Sequence, residues 1–421
     1  MSLDWFRQHS IAKDCIKLIG SSSLAQFVSI LLLTVVGRLY NEAQMGTIGL
    51  FLSWGGFLAI AAGGRYEHAI VVAGREDEAK HLFHLSLLFN FSAFALLLLP
   101  TLLLNELIQH SSYAELNGYL LLLPLFVLLQ SSYNSFSMYR LRQKAYTTLS
   151  FAQGGLGIAN SLGRVILGFF SPTVWSLVAS SLMSLLVGLA PLCQRPLLPK
   201  TLRISDRSDL KRVASKYRKF PCYGVPQSMI DTLLGSILVM MMPMGFSFAQ
   251  IGIVTMAVML AKRPLQIIGD NLSKVYFQRL SHDVAQGLSI RPRVGQLIRI
   301  WLCIALPVAF VLPFVLKPAV TLLVGAKWEQ SAYVISWMLP MLIPNFLAAV
   351  LNILPDIFGR QRLNMYAQLL MLLFELAVLL IGLSCLDFNQ FVPFYFLCIA
   401  VGQAAYLILL LRLVGRYEAT L

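Results

Sequence analysis

Apolar residues along this chain gather into runs of about 20, enough at about 1.5 Å per helical residue to cross a hydrocarbon core of roughly 30 Å. Short breaks rich in Gly, Pro and charge separate them. The runs fall at 15–38, 45–64, 82–104, 118–138, 147–170, 173–194, 222–244, 250–273, 298–316, 331–358, 364–385 and 391–411, which predicts twelve spans. Hydrocarbon offers a backbone N–H or C=O no water, so each run must satisfy its own hydrogen bonds as a helix. The expected fold is an all-α integral membrane protein. Composition agrees: 57% of residues are hydrophobic and 12% charged, and a mean hydropathy of +0.73 leaves too little polar surface for a water-soluble globule.

Charge orients the spans. With the N-terminus inside, 27 of the 33 Lys and Arg residues fall in the inner tails and loops. Arg38, Lys317 and Lys327 fall outside, and Arg164, Lys262 and Arg263 lie within helices. This split is the positive-inside pattern, and it places both termini in the cytoplasm. The formal net charge of +14 is thereby assigned to topology and to attraction for an anionic leaflet, not to nucleic acid. The opening MSLDWFRQHSIAKDCIK has no signal-peptide cleavage pattern, so the first run is expected to stay as an anchor.

The longest inner connection, 195–221, is Pro-interrupted and then basic, and it follows six spans. It reads as a linker between six-helix lobes at 1–194 and 222–421. The halves echo each other: NEAQMGTIGL (41–50) and SFAQIGIVTM (247–256) share an AQ-hydrophobe-Gly pattern at an offset of 206. RLRQKAY (140–146) and FGRQRLNMY (358–366) share RQ and a base. Two related lobes are the arrangement in which a substrate path lies between repeats. A second basic stretch, 278–299, reads either as an amphipathic surface helix broken at Pro292 or as a solvated loop.

Candidate chemistry is sparse. Six scattered cysteines show no CxxC spacing, and no phosphate-binding GxxxxGK[ST] occurs, so neither a metal, a cofactor nor a disulfide framework is expected. The longest outer loop, 105–118, holds Glu106 and Glu115 without nucleophile or ligand spacing, which gives no catalytic residue. Charges inside spans carry more information, since each costs roughly 2.5–3.5 kcal/mol to insert. Asp231 and Arg263 share a depth near the midplane. Either they form a neutral pair that ties two helices, or Lys262 and Arg263 grip an anion while Asp231 is a counter-charge that the anion or a coupling ion displaces. Pro264 should bend that helix. Arg164 can snorkel or face a cavity. Glu375 suits neutral packing or a proton relay, and His84 reads as a packing residue. Arg65 and Glu67, in GGRYEHAIV just after the second run, either brace a loop or stand at the inner mouth of a cavity.

RYEHAIV with the acid-rich GREDEAKHL after it resembles the signature following helix 2 of the bacterial polysaccharide transporters, the O-antigen and capsule flippases. That group shares a superfamily with multidrug and toxin extruders and lipid II flippases, the multidrug/oligosaccharidyl-lipid/polysaccharide exporters. KYRKFPCYGVPQSMID (216–231) and the stretch from LLVGAKW to NMYAQ (322–368) resemble the same family in order along the chain. The resemblance implies a V-shaped molecule of two pseudo-symmetric six-helix lobes. It further implies alternating access that carries an undecaprenyl-diphosphate-linked oligosaccharide across a bacterial inner membrane. Cavity cations would meet the diphosphate, and the positions that map are Arg65 and Arg263, with Lys17 and Lys262 as neighbours. Lipid-linked substrate, membrane lipids, a glycan polymerase and a chain-length regulator are the implied partners. The competing expectations are a cation-coupled exporter of small amphipathic molecules, in which Asp231 or Glu375 sets ion dependence, and a membrane glycan polymerase or ligase.

Overall fold

The computed structural model describes residues 28, 29, 31–193 and 207–419. Helices α1 (31–39), α2 (Glu42–Ala62), α3 (Tyr66–Val72), α4 (Glu76–Ile108), α5 (Leu123–Arg142), α6 (Tyr146–Phe170), α7 (Val174–Leu192), α8 (Arg207–Lys216) and α9 (Val225–Met241) come first. They are followed by α10 (Phe248–Ala257), α11 (Arg263–Ala285), α12 (Arg291–Leu323), α13 (Glu329–Leu351), α14 (Leu354–Ile357), α15 (Gln361–Cys385) and α16 (Phe388–Glu418). There is no strand among the described residues, so the all-α expectation holds.

Ten helical stretches among the described residues are long and apolar enough to cross a membrane. The protein is a multi-pass membrane protein. The fifth predicted span, α6, is 25 residues long but carries Gln153, Asn160 and Arg164, and it falls outside those ten. The first predicted span lies mostly outside the described residues. The most apolar windows of α4 and α12 are only 11% and 6% buried, the behaviour of helices whose apolar sides face lipid.

Helix ends follow local chemistry more than hydropathy. The basic stretch at 278–299 is neither a surface helix broken at Pro292 nor a loop: α11 runs on to Ala285 and α12 begins at Arg291. The break falls instead at 286–290, where Gly287 takes φ +66°. Pro292 sits in the first turn of α12, where its missing N–H costs nothing. Glu418, from the last turn of α16, accepts the backbone N–H groups of Ile290 (2.8 Å) and Arg291 (2.9 Å), which caps α12 with an anion at the positive end of its dipole. Arg293 Nε lies 2.6 Å from the buried Asp283 carboxylate and closes the turn.

The chain divides into two compact units, one holding Thr47–Thr232 with the described residues before Asn41, the other Leu233–Leu421 with Asn41–Gly46. Six residues from early in the chain belong to the second unit because of the repeated AQ-hydrophobe-Gly pattern. Asn41 and Gln44 exchange reciprocal bonds of 2.9 and 2.8 Å that start α2. Ser247 and Gln250, each 206 positions on, make the same capping box at 3.0 and 3.4 Å to start α10. One turn later the repeat glycines meet. A Cβ on Gly46 would lie 2.1 Å from Phe248 O, and one on Gly252 would lie 1.7 Å from Glu42 O. The motif therefore encodes both the start of each helix and the bare backbone that lets the two approach.

Ala at Gly46 or Gly252 is expected to cost about 1–3 kcal/mol by overpacking against backbone that cannot rotate away. The loss should appear as a lower melting midpoint of the purified protein, whereas Gly56→Ala, where a Cβ meets nothing within 4 Å, should leave the midpoint unchanged.

Candidate functional site

At one end of the first unit the acid-rich turn after α2 is assembled from five elements. Gly64 (φ +59°) and Arg65 (φ 58°) are consecutive left-handed residues that reverse the chain between α2 and α3. A non-glycine residue held there is strained by about 1–2 kcal/mol, and such strain gathers at functional sites. The reversal brings Glu67 back over Gly63, where a Cβ would lie 2.6 Å from its Oε2. Arg65 Nη1 stands 3.9 Å from Glu67 Oε1 and His68 Nε2 stands 4.0 Å from the same oxygen.

The acids of GREDEAKHL open α4, where they complement the helix dipole and anchor neighbouring elements. Glu76 accepts from Tyr139 Oη and Arg142 Nε of α5, each at 3.1 Å. Arg142 Nη1 also donates to the carbonyls of Ile70 (2.9 Å) and Ala73 (2.7 Å), closing the C-terminus of α3. Glu78 accepts from Lys216 (2.6 Å) and Tyr217 (2.9 Å), which ties down α8. The described half of the basic linker is thus a docked helix.

Burial depresses the Arg65 guanidinium, and the Glu67 and Asp231 carboxylates oppose that shift and hold it charged. Within this unit, then, Asp231 on α9 is an electrostatic partner of Arg65; Arg263 heads α11 in the other unit, and its side chain lies outside the described set. Lys17 also lies outside the described residues. Arg164 neither snorkels nor joins Arg65: it is 7% exposed, beside Tyr40, whose hydroxyl donates to its backbone carbonyl at 2.8 Å. His84 lies beside Phe83, with ring centroids 6.0 Å apart and the planes tilted by 51°.

The second unit holds its own charge cluster. Glu375 of α15 is buried (4% exposed), accepts a hydrogen bond from Tyr395 of α16 and interacts electrostatically with Lys262. Lys262 ends a π-turn, Val258–Lys262, just before Pro264, and this widened turn stands where the sequence predicts a bend. Asn364, Gln368 and Glu375 are spaced along one buried face of α15. Tyr406 of α16 donates toward Asn364 and toward Asn352, both at 2.6 Å. Sequence reasoning missed Tyr395, Tyr406 and Asn90, because Tyr and Asn inside apolar helices give no signal until a partner is placed opposite. Cavities in this unit include an apolar groove of 600 Å³ beside Trp301 and Phe346, and a polar pocket of 340 Å³ beside Gln250, Gln330 and Asp387. No group of three or more His, Cys, Asp or Glu side chains suited to a metal ion occurs among the described residues.

Residues 35–333 match the model of a family described as polysaccharide biosynthesis protein. No curated protein matches the sequence significantly. Among solved structures, a multidrug resistance MATE family transporter of the MOP superfamily, inward-facing, is similar with a TM-score of 0.71 at 15% identity, over 95% of each chain. The lipid II flippase MurJ, inward closed, is similar at 0.69 and 13% identity, over 93% of this chain and 87% of that one. A MOP superfamily transporter from Pyrococcus furiosus Vc1 is similar at 0.61 and 14%, over 97% and 95%. These likenesses establish the fold shared by MATE proteins and MurJ.

Two outcomes follow from the first unit's geometry. Arg142→Ala should cost about 1–3 kcal/mol by leaving the carbonyls of Ile70 and Ala73 without their donor, and Arg142→Lys should recover little, since an ammonium lacks the guanidinium fork; thermal unfolding in detergent reads both. Burial, and then Arg65, lower the His68 imidazole from 6.5 to about 4. The unfolded chain therefore binds the extra proton first, and the stability contributed by neutral His68 is lost as pH falls from 6.5 through 4. His68→Gln should flatten that part of the acid unfolding profile.

Proposed function

The chain belongs to the polysaccharide biosynthesis protein family, and from that membership we propose that it is a flippase for lipid-linked oligosaccharide. The substrate would be an undecaprenyl-diphosphate-linked repeat unit of O-antigen, capsule or a related glycan. It moves from the cytoplasmic to the outer leaflet of a bacterial inner membrane by alternating access, without covalent catalysis. The MOP-type fold and the likeness to a lipid II flippase support the class of cargo. The distribution of Lys and Arg supports cytoplasmic termini.

The observation that carries the reading is Arg65, a strained, partly buried cation beside Glu67 and Asp231 in the turn after α2. A diphosphate drawn unaided through hydrocarbon would lose its hydration, and a guanidinium replaces that shell with bidentate hydrogen bonds. Lys262 and Arg263, with Lys17, are the further cations assigned to the path, whereas Arg164, buried beside Tyr40, is not. The lipid tail stays in the bilayer throughout. Glu375, paired with Tyr395 and Lys262, is assigned to ion coupling, as it would be in a cation-coupled exporter. A glycan polymerase and a chain-length regulator are the partners this role calls for.

Deleting the protein in its host should trap labelled lipid-linked sugar on the inner leaflet and remove the surface glycan; unchanged surface glycan would sink the proposal. In complementation, Arg65→Ala and Arg263→Ala should abolish glycan export and the Lys variants retain part of it, at equal protein abundance.

A further inference from the structure

The Arg65 site uses one oxygen of Glu67 as its counter-charge and leaves the other to a second group. Glu67 Oε2 and Asn90 Oδ1, at 4% and 0% exposure of their residues, have no hydrogen-bond partner among the described residues. They lie 2.6 and 3.4 Å from a single point, the place a Cβ on Gly63 would take. Asn90 Nδ2 donates to Ser135 Oγ at 3.2 Å, and Ser135 Oγ donates to the Ser131 carbonyl at 3.1 Å, which leaves Oδ1 facing Glu67. Turning the amide over would require the Ser135 hydroxyl to give up the Ser131 carbonyl and donate to Asn90.

Two buried acceptors converging without a donor each bear an uncompensated desolvation penalty. A proton on the carboxyl converts one into a donor and satisfies both. A hard metal ion does not fit, since it would want about six oxygens, the described residues offer two at this point, and a guanidinium nitrogen stands 3.9 Å from the other carboxylate oxygen. We propose that Glu67 is a proton-binding residue whose carboxyl O–H donates from Oε2 to Asn90 Oδ1, and that taking up this proton releases Arg65 to bind an anionic group. One O–H bond forms, on the carboxylate, and the proton comes from solvent.

Burial raises Glu67, against its own backbone N–H and Arg65, which agrees with the geometry. Other charges around α3 are committed elsewhere. His68 is held neutral by burial, and Arg142 of α5 is bound to Glu76 and to backbone carbonyls. Glu78 of α4 is held by α8, Lys80 of α4 stands 3.7 Å from Asp77, Cys222 in the π-turn before α9 acts on Tyr66, and Asp231 of α9 acts on Arg65. Protonating Glu67 therefore adds one positive charge at Arg65, and the bound anion and the proton favour each other.

The anion half of this proposal rests on the flippase reading, while the proton half does not, and two measurements separate them. In pH-difference infrared spectra of the full-length protein in lipid, a carboxyl C=O band should titrate, vanish in Glu67→Gln, and move to lower pH in Gly63→Ala, whose methyl enters the shared point. A band spectrum identical in wild type and Glu67→Gln overturns the proton site. Calorimetric titration with farnesyl diphosphate, in buffers of different ionisation enthalpy at a pH where the probe is fully ionised, should show proton uptake on binding, reduced about fivefold or more in Glu67→Gln. Binding without uptake overturns the linkage to Arg65. Failure of the probe to bind, with the infrared band intact, supports the proton site and counts against the diphosphate reading.

Discussion

A charge in a low-dielectric medium must be answered by another charge or by fixed dipoles, and the internal order of each unit follows from how that demand is met. The first unit answers Arg65 with Glu67 and Asp231, and answers the acids of α4 with Arg142, Lys216 and tyrosine hydroxyls. The second answers Glu375 with Tyr395 and Lys262. Two cations inside helices are answered in this way: Arg164 is buried beside Tyr40, and Lys262 faces a carboxylate. Cations that are costly to insert and already partly compensated can exchange one anion for another at small net cost, which is what carrying a phosphate requires.

Backbone geometry supplies the close approaches that these pairs need. Gly63 lets a carboxylate fold onto the chain, and Gly46 and Gly252 let two helix starts touch. The same residue type serves different ends. At Gly63 the missing Cβ leaves room for two side-chain oxygens, and at the repeat pair it leaves room for carbonyls of the facing helix. The π-turn at Val258–Lys262 plays a comparable part, because its wider turn precedes Pro264 and carries Lys262 at its end.

The acid-rich run after α2 shows how a motif can be legible and its meaning not. Its place after the second run and its charge were readable, and family membership was readable with them. That Glu76 and Glu78 are anchors for α5 and α8, while Glu67 alone turns inward, depends on a two-residue left-handed reversal at Gly64 and Arg65. Hydropathy cannot register such a turn, since Arg is not a residue that favours it. The same limit explains the misplaced break near Pro292: proline marks a helix start as readily as a stop, and the cap that decides between them, Glu418, lies over a hundred positions away in sequence.

The sequence by itself determined the class, the membrane, the family and the repeat. Each rests on local or periodic properties: run length against bilayer thickness, the count of charges between runs, and a capping motif recurring at a fixed offset. Tertiary structure alone decided the pairing of charges. Sequence depth suggested Asp231 with Arg263, whose side chain lies outside the described set, and it gave no sign of the described partnerships of Asp231 with Arg65 and of Lys262 with Glu375. Depth along a helix fixes one coordinate of a side chain, and electrostatic partnership needs the other two, which helix rotation and packing supply.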